Sequence, residues 1–356
     1  QIEHSTGASF RAGLNQSAGR ADILAFSCEC CNLAFAEATY AAEFFRWFAG
    51  EAVRSDGVIT RAPASGVRVI SFTGSTGVDR TLLHSAADQM LKASMELGGN
   101  APLIVFEDAD LDTAVAGAMQ AKMRNLGEAC TAANRFYVHE TVAAAFIARL
   151  SAAMGALKLG DGTDPSVDVG PLINAETRDK VAAFVDDAVA KGAKIELGGT
   201  RPGGKVFFYP PTVLSNVPES AACVRDEIFG PVAAIQTFAS ENDVIARAND
   251  TEYGLVACVF TGDMRRGMRV CERLDYGMVG LNRGLVSDPA APFGGTRQSG
   301  LGREGGHEGM LEFMETQYIS ASWWIPPPGG AAAQARAGAC RKGRRHARPG
   351  CQGRSG

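Results

Sequence analysis

From residue 67 onward the chain alternates short β-branched or aromatic runs with longer amphipathic stretches, and few architectures accept that rhythm. "VRVISF" (67–72) predicts a strand and 78–92 a helix. "LIVF" (103–106) predicts the next strand, followed by a helix over 111–124 with Asp110 placed to cap it. The pattern continues through "RFYVH", a helix near 141–157, a helix over about 175–191 before "KIELGG", "PVAAIQTF", a helix at 241–249, "LVACVF", a helix at 263–275 and "GMVGLN". Strands and helices in strict turn imply an α/β protein whose mostly parallel sheet is covered on both faces. Upstream, residues 32–57 have the apolar spacing of one long helix, "TRAPASG" (60–66) breaks it, and residues 1–31 show no period.

At 356 residues the chain has room for two domains, and no apolar run approaches the ~20 residues of a membrane-spanning helix. No secretory leader pattern is present at the N-terminus, so a cytoplasmic protein with no membrane partner is expected. The formal charge of −4 conceals an asymmetry: residues 326–356 carry seven Lys/Arg and no Asp/Glu, so the rest of the chain is acidic. An acidic body argues against nucleic acid as a partner, and the basic, glycine-rich tail is too poor in large apolar residues to fold. Nine cysteines, odd in number and unpaired in spacing, suit reduced thiols. Cys28, Cys30 and Cys31 cluster, but the five histidines supply no matching ligand spacing, so no metal site is expected.

Three stretches carry chemistry. "VISFTGSTGVDRTLL" sets Gly74, Ser75 and Gly77 between a strand and a helix, where backbone N–H groups can receive a phosphate. Such turns are also common without any ligand. A literal GxGxxG at Gly300, Gly302 and Gly305 follows no strand and is rejected as a dinucleotide fingerprint. "MRNLGEACTAANR" (123–135) places Cys130 after a glycine turn, either as a buried filler or as a nucleophile, and a nucleophile needs a base. Glu96, at the end of an apolar stretch, is the candidate base, because partial burial raises a carboxyl pKa toward neutrality. In alternating α/β chains the carboxyl ends of strands gather along one crevice, which offers a way for the two segments to meet.

"FTGST" (72–76), "MELGGNAP" (95–102), "GEACTAANR" (127–135), "DEIFGPV" (226–232) and "PFGGTRQSGLGREGG" (292–306) together resemble the aldehyde dehydrogenase superfamily in wording, order and spacing. The wording is most similar to its succinate-semialdehyde branch, over roughly residues 32–320. The resemblance implies a Rossmann-type cofactor domain, here truncated, beside an α/β catalytic domain, with NAD or NADP as cofactor. It implies Cys130 as the nucleophile, Glu96 as the base that readies water, and Gly74, Ser75, Leu97, Glu227 and Phe229 as cofactor contacts. Arg124 and Ser287 would hold the distal carboxylate of a small aldehyde, a task that suits the planar guanidinium fork. Read from the residues alone, Arg124 is equally a helix-end arginine, Glu227 a solvated turn residue, Phe229 core, and Asn134 and Arg135 the start of a strand. The likeness also implies a dimer or tetramer joined through "LEFMETQYIS" (311–320).

The chain departs from that family between the long helix and "FTGST", where members carry a long segment and this chain carries only a short linker. The absent segment ordinarily holds a tryptophan-asparagine-phenylalanine-proline motif, whose asparagine stabilises the oxyanion, and a lysine that binds the adenosine ribose. Asp79 also stands where glycine is usual, and Ala132 where a second cysteine is frequent. The expected organisation is an unassigned start (1–31), a partial dinucleotide-binding domain (32–95), a catalytic thiol domain (96–285), a return to the cofactor domain with the subunit-joining strand (286–325) and a disordered tail (326–356). Two readings follow: oxidation of a semialdehyde to its acid through a cysteine thiohemiacetal and thioester, or an inactive remnant that acts only as an interaction protein.

Overall fold

In β3 (Ala101–Val105) Leu103 and Val105 face one layer of the molecule while Ile104 faces the other, the period-two signature of a strand buried on both sides. A computed structural model describes residues 31–54, 69–201, 203 and 207–323. Its elements, in chain order, begin with α1 (Cys31–Arg54), β1 (Val69–Thr73), α2 (Thr76–Ala87) and β2 (Lys92–Glu96). After β3 come α3 (Leu111–Met123), β4 (Ala133–His139), α4 (Glu140–Gly155), α5 (Ala175–Ala190), β5 (Lys194–Leu197) and β6 (Thr212–Ser215). A short α6 (Ala222–Arg225) leads to β7 (Val232–Phe238), α7 (Glu241–Asn249), β8 (Tyr253–Gly254), β9 (Val256–Phe260), α8 (Met264–Arg273) and β10 (Met278–Leu281). β11 (Thr296–Arg297), β12 (Gly300–Leu301) and α9 (Glu308–Leu311) close the series.

The large sheet has seven strands in the order β10-β9-β3-β4-β7-β6-β5, all parallel except the β5–β6 pair. Phe136 and Val138 of β4 and Ile235 of β7 meet α3 and α4 on one face. Tyr137 and Val259 meet α7 and α8 on the other, where α5 continues the layer over Leu214 and Ala234. Helix starts follow capping chemistry: the Thr113 N–H donates to Asp110 Oδ1 (2.7 Å), Thr177 N–H to Asn174 Oδ1 (2.8 Å) and Asp243 N–H to Ser240 Oγ (3.2 Å).

A second sheet is small, with order β1-β2-β12, β1 parallel and β12 antiparallel to β2. The helix expected over 78–92 forms as α2 but stops five residues early at Ala87, and "KASME", of which only Lys92 lies in that range, becomes β2. That segment has no β-branched or aromatic residue, and it is a strand because β1 and β12 flank it on both edges. β1, in contrast, pairs on one side only among the described residues, and Val78 and Met90 are exposed.

Contacts divide the chain into two compact units, Gln1–Met314 and Glu315–Gly356. The described part of the second unit, 315–323, exposes Tyr318, Ile319 and Trp323. Within the single chain no strand forms over 312–323; the subunit-joining strand expected in "LEFMETQYIS" would need the edge of a partner chain to pair with. The readings made on residues 1–30, on Cys28 and Cys30, on the break at 60–66 and on the basic tail fall outside the described residues. Among the described residues no helix is long and apolar enough to cross a membrane, and no group of His, Cys, Asp and Glu is arranged to hold a metal.

Candidate active site

Residues 97–100 carry the chain from the carboxyl end of β2 to the amino end of β3, and the candidate site is built around this short crossing. Glu96 is the last residue of β2, paired with Thr73 on one side and Gly300 on the other. Cys130 lies three residues before β4, and Glu227 and Phe229 just before β7. The site therefore gathers at the amino ends of the large sheet's strands, not at carboxyl ends as the α/β rule predicts. Parallel strands bring all their amino ends to one edge, and only Glu96, from the small sheet, arrives from a carboxyl end.

The crossing is glycine because nothing larger fits. A Cβ on Gly99 would lie 2.6 Å from the Cys130 carbonyl oxygen, and one on Gly98 would lie 2.6 Å from Glu227 Oε2. The Gly99 N–H donates to Glu227 Oε1 (3.1 Å), and the Asn134 amide donates to the Gly99 carbonyl (3.4 Å). Ser299 clamps the same segment: its hydroxyl donates to the Gly98 carbonyl (2.7 Å), and its own carbonyl accepts from the Leu97 N–H (3.1 Å). Leu97 is thereby buried and its N–H engaged.

Glu96 is buried, and both of its carboxyl oxygens lack a hydrogen-bond donor among the described residues. Burial, then the charge of Glu304, push its pKa up to about 8 against the pull of Arg303. Such a carboxyl can take a proton near neutral pH. Burial pushes the Cys130 thiol up to about 11, aided by the Glu227 and Glu96 charges and opposed by its own backbone hydrogen bond and Arg124. These mutual influences bring Cys130, Glu96, Glu227 and Arg124 into one electrostatic neighbourhood. Cys130 leans on an apolar cluster with Leu255, Met278, Val286 and Phe293, and a cavity of about 210 Å³ is lined by Met278, Val286 and Phe293 together with Asp288 and Pro292.

Glu227 is raised by burial against the Gly99 N–H and the charges of Lys180 and Lys122. Phe229 holds a left-handed backbone (φ 55°), uncommon for a bulky residue. Beneath them Lys122 is fully buried, donates to Asn134 Oδ1 (3.0 Å), and is lowered by burial to about 7. Gly74 and Ser75 lie at the end of β1. The Gly74 N–H donates to the Glu96 carbonyl (3.1 Å), and Ser75 is the N-cap of α2 without a side-chain cap bond. Asp79, in the first turn of α2, is buried and raised by desolvation, so the helix start already faces a carboxyl group.

Arg124 follows α3 and lies with its guanidinium 5.6 Å from the Tyr40 ring, and the Ser287 hydroxyl is near enough to the Tyr40 hydroxyl to act on its ionisation. The two residues assigned to a distal carboxylate thus converge on one tyrosine. Asn134 and Arg135 are not merely the start of a strand: both are buried, and Arg135 donates to the Asn100 carbonyl (2.9 Å), the Ala248 carbonyl (2.9 Å) and the Tyr276 hydroxyl (2.7 Å). Gly300 and Leu301 of the rejected GxGxxG form β12 against β2, with no long helix following to receive a phosphate. The sequence alone does not point to Lys122, Ser299 or Tyr40: Ser299 and Tyr40 act on partners far away in the chain, and Lys122 turns inward from a helix end.

Residues 25–319 match the aldehyde dehydrogenase family. A succinate-semialdehyde dehydrogenase of Paenarthrobacter nicotinovorans is 54% identical over 272 residues, 74% of this chain and 60% of that protein. A glutarate-semialdehyde dehydrogenase of Pseudomonas putida is 48% identical over 256 residues, 72% of this chain and 53% of that protein. A crystal structure of an E. coli NADP-dependent enzyme superposes with a TM-score of 0.70 at 47% identity, covering 71% of this chain and 53% of that one. The chain spans little more than half the length of these relatives.

Proposed function

The chain belongs to the aldehyde dehydrogenase family, and from that premise we propose that it carries out the thiol chemistry of a semialdehyde dehydrogenase that uses NAD or NADP. The observation that carries this reading is the buried Glu96 carboxyl, without a hydrogen-bond donor among the described residues, in the electrostatic neighbourhood of Cys130, whose carbonyl oxygen leaves no room for a Cβ at Gly99. The Cys130 sulfur adds to the carbonyl carbon of the aldehyde, and the carbonyl oxygen takes up the thiol proton, giving a thiohemiacetal. A nicotinamide dinucleotide, when bound, would supply the acceptor for the carbon-bound hydrogen with its two electrons as the thiohemiacetal becomes a thioester, and the hydroxyl proton would leave to solvent. Glu96 then takes a proton from water as the water oxygen attacks that thioester, and the departing Cys130 sulfur is reprotonated.

Glu227 suits the ribose of the nicotinamide half: one oxygen already accepts from Gly99, and the carboxylate retains capacity for sugar hydroxyls. Phe229 and Leu97 would flank the nicotinamide. The fit at the phosphate end is poorer, with the Gly74–Ser75 turn present but Asp79 opposing a phosphate. Arg124 and Ser287 are the proposed holders of the substrate's distal carboxylate, which favours succinate semialdehyde or a close analogue. A homo-oligomer joined through 311–320, as the family resemblance implies, completes the reading, and sedimentation would read a dimer or tetramer.

A second reading is an inactive remnant whose cofactor half is too small to bind, since among the described residues the small sheet has only β1, β2 and the two-residue β12. One assay separates them. NADH or NADPH formation from succinate semialdehyde, abolished in Cys130→Ala, supports the enzyme; folded protein that neither binds nor reduces the cofactor supports the remnant.

A further inference from the structure

α1 presents one face to the loop that carries Ser287. Tyr40, Phe44, Trp47 and Phe48 are half-buried at i, i+4, i+7 and i+8, the stripe of a helix covering a surface. The Trp47 indole donates to the Gly306 carbonyl (3.1 Å), and Phe44 and Phe48 each come within 3.2 Å of where a Cβ on Gly305 or Gly309 would sit. Tyr40 stacks edge-on against Phe44, with ring centroids 5.0 Å apart, so its ring is held from within its own helix. At the free end of this stripe it meets two elements at once: the guanidinium of Arg124, 5.6 Å from its ring centroid, and the hydroxyl of Ser287.

We infer that Tyr40 is the positioning residue of the anion-holding end of the site, backing the Arg124 guanidinium with its ring and fixing the Ser287 hydroxyl with its own, so that aldehydes bearing a distal carboxylate or sulfonate are selected. The inference rests on the proposed reading of Cys130 as the nucleophile and adds the device that selects among its substrates. An arginine loses much rotamer freedom when it must hold a bidentate geometry, and an aromatic face beside it reduces the number of orientations it samples. The charges that face Tyr40 support the assignment of sign. Arg124 is the cation of the group, whereas Asp288 and Glu304 act on Tyr40 with the opposite sign. An anion seated here would therefore depend on Arg124 being held in place, and Tyr40 is the side chain that contacts both Arg124 and Ser287.

The test needs no bound cofactor. The rate of Cys130 alkylation is measured with 4-iodobutanoate and with its neutral amide, and the ratio of the two is the readout, because a purely structural defect slows both alike. In the unaltered chain the acid should react faster by on the order of tenfold. Tyr40→Phe, which keeps the ring, should lose part of that preference, and Tyr40→Leu should fall to the ratio found in Arg124→Met. An unchanged ratio in both Tyr40 variants overturns the role of Tyr40, and a ratio near one in the unaltered chain overturns the anion site as well. Failure of either reagent to label Cys130 overturns the thiol chemistry itself, a separate result. Should Tyr40→Leu not fold, Tyr40→Phe alone decides.

Discussion

Glu96 and Lys122 are opposite cases of one physical problem, an ionisable group taken out of water with too few partners. Glu96 is pushed up to about 8 from an ordinary value of 4.5, so its neutral form is the one the fold favours. The stabilisation associated with its protonation is complete below pH 4.5 and is lost as pH rises through 8. Glu96→Gln, which cannot ionise, should therefore gain on the unaltered protein as pH rises over that window, by on the order of a few kcal/mol in urea unfolding at pH 9. The same substitution should abolish the rise in thioester hydrolysis between pH 7 and 9, because only the ionised carboxylate can take a proton from water. A hydrolysis profile unchanged in the variant would remove Glu96 from the mechanism. Lys122 is lowered by burial to about 7 from 10.5, so its stability contribution is present above pH 10.5 and lost as pH falls through 7. Lys122→Met leaves Asn134 Oδ1 without its donor, a cost of about 1–3 kcal/mol. Unfolding midpoints should show that cost most clearly at pH 10, and the gap between the two proteins should narrow toward pH 7.

At the scale of elements, the helices owe their boundaries to caps, and a cap can be tested alone. Asn174→Ala removes the acceptor for the Thr177 N–H at the start of α5 and should cost about 1 kcal/mol in chemical denaturation, without altering Cys130 reactivity. Those same caps explain what could be read in advance. Asp110 and the spacing over 111–124 place α3 within a residue of its observed end, and α7 spans 241–249 as the pattern predicts. β2 was hidden because "KASME" has the composition of a helix and becomes a strand only between β1 and β12, the latter contributed by residues some two hundred positions away. The site divides in the same way. Cys130 and Glu96 are candidates from their own local sequence, whereas Glu227 is named only through the family resemblance, since by itself it reads as a solvated turn residue. Ser299 meets Gly98 across 201 positions, and Tyr40 meets Ser287 across a comparable span, so no window of sequence contains both partners. Lys122 misleads for a different reason: at the end of an alanine-rich helix a lysine reads as solvated, yet here it points inward beneath the site.

For the molecule as a whole, the two sheets are unequally complete. The large sheet has helices and a packed core on both faces, whereas among the described residues the small one consists of β1, β2 and a two-residue β12, with Val78 and Met90 exposed. A parallel pair with so little cover is the weakest form of the architecture, since parallel strands normally lie buried on both faces. Glu96, the proposed base, ends β2 of the small sheet, while Cys130 and Glu227 stand just before β4 and β7 of the large one, so the proposed reaction draws on both sheets. The two half-reactions should therefore fail unequally: thiol addition, which depends on the large sheet, should persist, and cofactor binding and hydrolysis should be weak. Inserting a relative's corresponding segment between residues 57 and 67 would add strands beside β1 and restore the oxyanion asparagine. Cofactor fluorescence titration should then show tighter binding, and turnover should rise by about 10²- to 10³-fold, the usual worth of one oxyanion donor. Cys130 alkylation by a neutral reagent should change little. If insertion instead accelerated alkylation as strongly as turnover, the thiol's environment would depend on the small sheet after all, and the division of labour between the two sheets would be wrong.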